Sequence, residues 1–184
     1  MLGGAFIIWV TEGLDPISRS ITVYATSVIA GLGEGAILAM FQLRVLRRLL
    51  PSLNARRWLW CTAVAASFAW ACGMLAPLLD DLYGLSVPSQ IVIWALASVL
   101  ILLSIGTAQS WVLRDVIDRP QRWITANVFG WLLGLPWTFV LPAMLPESAP
   151  IFVWVATFVV AGVLMGLTVG LVTGRLVIQL TARE

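Results

Sequence analysis

Four polar side chains interrupt the apolar stretches of this sequence, and their types define the chemistry open to it. Glu34 can carry a proton or an ion inside a membrane. The carboxamides of Gln42, Gln109 and Asn127 can both donate and accept hydrogen bonds. All four could line a polar pathway, or they could bond neighbouring helices to one another. The sequence alone leaves both uses open.

The residue types on which most enzymes depend are scarce. His is absent, which removes the commonest metal ligand and the side chain best suited to acid–base chemistry near neutral pH. Cys61 and Cys72 lie about 16 Å apart along one predicted helix, so they cannot form a disulfide with each other. The sequence has no phosphate-binding loop, nucleophile elbow or intramembrane carboxylate pair. These absences predict a protein that is not an enzyme, holds no cofactor or metal ion and has no nucleic-acid partner.

The composition places the chain in a membrane. Of its 184 residues, 60% are apolar and 11% are charged, whereas soluble domains are about half apolar and about a quarter charged. Backbone inside a bilayer must satisfy its own hydrogen bonds, so these values predict an all-α, polytopic transmembrane helical bundle surrounded by lipid. Too few polar residues remain to cover a separate soluble domain. We therefore expect a single transmembrane domain over residues 22–180.

Five apolar runs are each long enough to cross about 30 Å of hydrocarbon. Residues 1–21 are too short for a span and predict an external interfacial segment, or the end of a helix that starts before this sequence. Residues 181–184 predict a cytoplasmic tail. Pro136 and Pro142 should bend the outer half of the fourth run. The predicted spans are 22–46, 58–79, 91–113, 123–145 and 151–180.

The arginines predict the orientation, because basic loops stay in the cytoplasm. The alternate loops carry only acidic residues, so every loop agrees with an external N-terminus and a cytoplasmic C-terminus in a bacterial inner membrane. The first basic loop could also bind anionic lipid, although the orientation rule already explains its charge. Tryptophans at the loop ends predict interfacial anchors at the cytoplasmic face: Trp58, Trp60, Trp111 and Trp123. The basic loops contain Arg47, Arg48, Arg56 and Arg57, and then Arg114, Arg119 and Arg122.

A pattern recurs along the chain with a period of about 64 residues. The motif Q-x-x-V-L-R begins at Gln42 and again at Gln109, and the motif W-x-x-G begins at Trp70 and again at Trp131. Because the period equals two spans, it predicts tandem helical hairpins that point the same way through the membrane. Gln109 and Asn127 would both lie about 6–8 Å inside the cytoplasmic boundary, where they can pair across a hairpin. In the first hairpin Gln42 would pair with Thr62.

Glycines at four-residue spacing predict close helix packing, because small residues let two backbones approach. Gly31, Gly35 and Ala39 form one such face on the first span. A longer face on the fifth span predicts either packing against the first span or contact with a second copy or another membrane protein. It consists of Gly162, Gly166, Gly170 and Gly174.

The hairpin motif resembles a known group of sequences. A Gly-rich helix ending Q-x-x-V-L-R, a short loop and then W-x-x-x-N-x-x-G-W-x-x-G is similar to an uncharacterised family of small bacterial multi-pass membrane proteins in which such hairpins recur. The resemblance covers residues 31–180 and is strongest over 106–134. Ala66 stands where the first hairpin would need its Asn, and Thr173 replaces Gln in the last copy. The resemblance implies the topology and no activity.

Glu34 would lie near the bilayer centre, about 20 Å along the helix from Arg47. A charge at that depth costs about 2.5–3.5 kcal/mol, so we expect Glu34 to face the interior of the bundle and bond to a neighbouring helix. The sequence therefore predicts an integral membrane protein with a structural or partner-binding role. The alternative is a small transporter or channel component that uses Glu34 and the carboxamides as a polar pathway.

Overall fold

The computed structural model describes residues 13–146 and 148–181, and every regular element in that part of the chain is helical. Five helical segments are long and apolar enough to cross a membrane, with α4 and α5 together forming one of them. The prediction of an all-helical chain with five spans is confirmed. The helices are α1 (Pro16–Leu49), α2 (Ala55–Tyr83), α3 (Val87–Leu113), α4 (Gln121–Gly134), α5 (Pro136–Ala143) and α6 (Ile151–Thr181).

Helix α1 begins earlier than predicted. Pro16 occupies the first turn, and the carboxylate of Asp15 accepts hydrogen bonds from the backbone N–H groups of Ile17 and Ser18, each at 3.1 Å. Hydrogen bonding by Ser18 is the largest cause that holds the pKa of Asp15 below its ordinary value. Residues 16–21, predicted to be interfacial, therefore belong to the first helix. Residues 1–12 of that predicted segment and residues 182–184 of the predicted tail lie outside the described residues.

Short connections make α1, α2 and α3 successively antiparallel. Asn54 begins α2 by accepting a hydrogen bond from the backbone N–H of Arg57 at 3.0 Å. Gly84 ends α2 with φ of 62°, in the left-handed region that glycine adopts without strain. The carboxylate of Asp80 then accepts from the backbone N–H of Leu85 at 2.9 Å, which fixes the turn into α3.

The fourth span is broken where the prolines predict. Helix α4 ends at Gly134 and α5 begins at Pro136, whose ring lacks the N–H that would bond to Leu132. The backbone N–H of Leu135 still reaches the carbonyl of Trp131 at 2.8 Å, so the break is confined to one turn. The interruption lies where the sequence places Pro136, and the bend of the fourth span stays a prediction.

The described chain divides into two compact units, residues 13–124 and residues 125–181. In the first unit α1 packs on α2 through Gly31 and Gly35. A Cβ added to Gly35 would lie 2.6 Å from the Cβ of Ala66. In the second unit α4 packs on α6 through Gly130 and Gly134. A Cβ on Gly130 would lie 3.3 Å from the Cα of Val169. The repeat of about 64 residues stays a prediction.

Candidate functional site

A buried hydrogen-bond cluster joins the helices of the first unit, and Gln109 is its centre. The Gln109 carboxamide donates from Nε2 to Oε1 of Gln42 at 2.7 Å and to Oγ1 of Thr62 at 3.0 Å. Its Oε1 accepts from the indole Nε1 of Trp123 at 2.8 Å. Gln109 and Thr62 are 0% exposed. One side chain of α3 is therefore bonded to α1, to α2 and to the first turn of α4; we call these four residues the Gln109 cluster.

Helix positions explain why these side chains meet. Gln42 and Gln109 lie near the ends of α1 and α3, whereas Thr62 and Trp123 lie near the beginnings of α2 and α4. Because the helices alternate in direction, all four residues come to the same end of the unit. The Thr62 hydroxyl also donates to the carbonyl of Trp58 at 2.8 Å, which aims its oxygen lone pairs at Gln109.

An aromatic pair lies next to the cluster. The rings of Trp58 and Trp123 meet edge to face, with centroids 5.8 Å apart and an interplanar angle of 68°. Both rings are essentially buried, at 0% and 2% exposure. The prediction that these two tryptophans act as interfacial anchors is therefore wrong, because they pack inside the protein. Trp60 and Trp111 are exposed at the same end, as anchors should be.

The cluster differs from the pairs expected from depth along the sequence. Gln42 and Thr62 are predicted to bond to each other, but each accepts a hydrogen bond from Gln109 instead. The Gln109 carboxamide therefore links these two side chains. Asn127 lies in α4 and is 0% exposed. Its pairing with Gln109 stays a prediction. The role of Trp123 could have been suspected from its position just after the short loop that follows Gln109.

Glu34 does not belong to this cluster. Its side chain lies on the surface of the first unit, where Oε2 accepts a hydrogen bond from the Trp70 indole at 2.7 Å. The expectation that Glu34 faces the interior is wrong for this unit. Gly31 and Gly35 occupy the buried line of α1, and Glu34 is turned away from that line by its place in the helix.

The two predicted glycine faces have different surroundings. Gly31 and Gly35 are buried against α2, so they are not available for packing on the fifth span. By contrast, no described atom lies within 4 Å of a Cβ built on any of the four glycines of α6. We call that open line the α6 glycine face; it comprises Gly162, Gly166, Gly170 and Gly174.

A charged and aromatic group lies beside the Gln109 cluster at the arginine-rich end. The guanidinium carbons of Arg57 and Arg114 lie 4.6 Å and 4.9 Å from the ring centre of Trp111. Arg57 also forms an ion pair with Asp115, with an Nη1–Oδ2 distance of 2.7 Å. These contacts tie the beginning of α2 to the end of α3. Because the side chains of the ion pair are 38% and 50% exposed, its contribution to stability is small.

The chemistry available at these sites is hydrogen bonding. Within residues 13–146 and 148–181, no group of three His, Cys, Asp or Glu side chains is placed to hold a metal ion. The Gln109 cluster contains neither a nucleophile paired with a base nor a titratable group. It can fix the register of helices, and the Glu34–Trp70 pair can present a polar contact on a membrane-spanning surface.

The fold and the apolar surfaces define a class: this is a multi-pass membrane protein built from helices. No protein-family model, no curated protein and no solved structure matches the chain. The resemblance to a family of repeated hairpins therefore stays a prediction, and any function rests on the geometry of the chain itself.

Proposed function

We propose that this chain is a non-enzymatic integral membrane protein with a structural or partner-binding role. The observation that carries the proposal is the burial of Gln109, which is 0% exposed and bonded to three other side chains. A polar pathway needs side chains that face a water-filled space and can exchange partners. The Gln109 carboxamide is instead hydrogen-bonded to its neighbours, as in a contact that fixes the register of packed helices.

The position of Glu34 supports the same proposal. Glu34 lies about 12 Å along α1 from Gln42, and it accepts a hydrogen bond from Trp70 on the adjacent helix. An acid that relays protons would be expected to share a cavity with the other polar residues. On the surface of a spanning helix, the Glu34–Trp70 pair instead favours contact with a polar group of a neighbouring protein.

The α6 glycine face is the second surface that suits a partner. Glycines at four-residue spacing, with no described atom within 4 Å of a Cβ built on them, allow another helix to approach the α6 backbone closely. The partner in this proposal is a second copy of the chain or another membrane protein.

The first test is native mass spectrometry of the full-length protein released from nanodiscs. We expect a discrete multiple of 20.0 kDa, or a complex with one defined partner at fixed stoichiometry. Substituting Gly166→Leu and Gly170→Leu together should dissociate that assembly. Val159→Leu, at an exposed position of the same helix, is the matched control and should leave it intact.

The competing function is a small transporter or channel component, favoured by the presence of an intramembrane acid at Glu34. It is tested by reconstituting the protein into vesicles that contain a pH-sensitive dye. We expect no proton flux above that of protein-free vesicles. A flux that Glu34→Gln abolishes, from a protein that runs as a monomer, would replace the proposed role with transport.

A further inference from the structure

A cleft opens between α1 and α2 at the end of the first unit opposite the arginine-rich loop of residues 47–57. Its volume is about 130 Å³. Its polar lining comes from Arg19, Ser20 and Tyr24 on α1 and from Asp81 on α2. The cleft lies about three helical turns or more from the Gln109 cluster, so it is a separate feature of the molecule.

The cleft is lined by two residues of opposite charge, Arg19 and Asp81, that do not form an ion pair with each other. Oδ2 of Asp81 accepts a hydrogen bond from the Ser20 hydroxyl at 2.6 Å, which holds the carboxylate at the rim. Within residues 13–146 and 148–181, the ion pairs are those of Asp115 with Arg57 and with Arg114, and none of the described acids lies within ion-pair distance of Arg19. A ligand with an anionic and a cationic group can therefore bind its anionic group to Arg19 and its cationic group to Asp81.

Arg19 is also in an unusual place. The other ten arginines lie in the predicted cytoplasmic loops, at the inner ends of spans or in the C-terminal tail. Basic residues are disfavoured on the external side, so an arginine there needs a local reason. Pairing with an anion that belongs to the bilayer surface supplies one.

The remaining walls of the cleft are apolar. They come from Val23 on α1 and from Met74, Pro77 and Leu78 on α2. Pro77 lies inside α2 and cannot donate to the carbonyl of Gly73, which favours a bend of the helix at this level. A cleft with charged groups at its rim and an apolar wall along a spanning helix suits an amphiphile rather than a freely soluble ion.

We propose that this cleft binds the head group of an ethanolamine phospholipid. The lipid phosphate pairs with the Arg19 guanidinium, and the Tyr24 hydroxyl is a further donor in the lining. The primary ammonium of the lipid donates to the Asp81 carboxylate, and its acyl chain follows the apolar wall. A choline head group has no N–H to donate and a glycerol head group has no cation, so the site should discriminate against both.

The test is native mass spectrometry of the full-length protein from mixed micelles with equal amounts of phosphatidylethanolamine, phosphatidylcholine and phosphatidylglycerol of matched chains. We expect the ethanolamine lipid to be retained about tenfold more than the choline lipid, as expected for one charge-assisted hydrogen bond. Asp81→Asn, which keeps an acceptor for Ser20, should remove that preference. Arg19→Gln should weaken retention of all three lipids.

Matched controls remove the same charges at the opposite end of the unit. Arg48→Gln and Asp118→Asn are both at exposed positions and should leave the lipid preference unchanged. Circular dichroism verifies that each variant is folded, and the lipid series of the unsubstituted protein tests the proposal without any variant.

Three results would overturn the proposal. The first is equal retention of the ethanolamine and choline lipids by the unsubstituted protein. The second is a loss of preference in Arg48→Gln and Asp118→Asn as large as that in the cleft variants. The third is displacement of the lipid by millimolar free phosphoethanolamine, which would make the ligand a soluble aminophosphate rather than a lipid.

Discussion

The Gln109 cluster and the Glu34–Trp70 pair use the same donor group in opposite environments. In each, an indole N–H donates to a side-chain oxygen on another helix, at 2.8 Å from Trp123 and at 2.7 Å from Trp70. Gln109 is 0% exposed, whereas Trp70 is 40% exposed and Glu34 lies on the surface. A buried contact stabilises the fold in any surroundings. The stability that a surface contact contributes depends on whether lipid, water or another protein lies against it.

The packing of α1 explains the difference. Along α1 the buried positions recur every four residues, at Ser27, Gly31, Gly35 and Ala39. A Cβ on Gly31 would lie 2.6 Å from Cδ1 of Trp70, so the indole occupies the space that the glycine leaves. Its Nε1 then extends past the buried line to Glu34. Two turns later on the same helix, Gln42 bonds to the fully buried Gln109 of α3.

Removing the centre of the Gln109 cluster should have the largest effect. Gln109→Leu leaves Gln42, Thr62 and the Trp123 indole without the partner they share. Because buried polar groups that lose a partner cost about 1–3 kcal/mol each, and hydrogen bonds between membrane helices contribute about 0.6–2 kcal/mol, we expect a loss of about 2–4 kcal/mol. The measurement is the free energy of unfolding in mixed detergent micelles. Gln90→Leu is the matched control, since that carboxamide makes one bond, at 3.3 Å, at the other end of α3.

A loss below about 0.6 kcal/mol for Gln109→Leu would mean that the cluster contributes no measurable stability to the unit. A loss for Gln90→Leu equal to that for Gln109→Leu would mean that any glutamine in α3 is costly to replace, whatever its partners.

The glycine faces provide the second prediction. Gly35→Ala would place a methyl group 2.6 Å from the Cβ of Ala66 and 2.8 Å from the Cα of Ala63, so α1 and α2 must separate. We expect a loss of about 1–3 kcal/mol in the same unfolding measurement. Gly166→Ala is the control, because no described atom lies within 4 Å of the added methyl group. An equal loss of unfolding free energy in the two variants would mean that the loss comes from helix propensity or from contacts with other molecules, and not from the packing of α1 on α2.

The Glu34–Trp70 pair should contribute less to the free energy of unfolding than the Gln109 cluster does. A double-mutant cycle of Glu34→Leu and Trp70→Phe isolates its coupling energy, which we expect to be about 0.6–2 kcal/mol in mixed micelles. If a partner protein covers this face, the coupling should rise when the cycle is repeated on the assembled complex. A coupling of zero in both states would mean that the 2.7 Å contact contributes no stability.

These residues also show what sequence reasoning can and cannot reach. Run lengths fixed the five spans, and proline chemistry fixed the break at Pro136, because both depend on local properties of the chain. The buried line of α1 was also visible in its glycine spacing. Glu34 precedes Gly35 by one residue, and one residue turns the helix by about 100°, so that spacing already argued against an inward Glu34. The prediction that Glu34 faces the interior rests only on the energetic cost of placing its charge inside the membrane.

The partners of Gln109 could not be predicted in the same way. Depth along each helix places Gln42, Thr62, Gln109 and Trp123 at one level, but the choice among them depends on how each helix is rotated about its axis. That rotation is set by non-local packing, including the Trp58–Trp123 contact at 5.8 Å. Distances along the sequence therefore predict that these polar side chains lie at the same depth in the bundle. They do not predict which of the side chains bond to one another.

The smallest effect should come from the cap of α1, which is outside both polar contacts. The pKa of the Asp15 carboxyl is lowered by hydrogen bonds made in the folded chain, chiefly with Ser18. A group with a depressed folded pKa stabilises the fold above its unfolded pKa, and that contribution is lost as the pH falls through the folded value. Asp15→Ala should therefore lower the melting temperature slightly at neutral pH and reduce the dependence of the melting temperature on pH below about 4. Asp118→Asn, at an exposed loop position, is the comparison. Asp15 caps residues 16–21, which extend α1 beyond the predicted span. An unchanged pH profile would mean that this cap adds nothing to the stability of the hairpin, which then comes from its buried seam and from the Gln109 cluster.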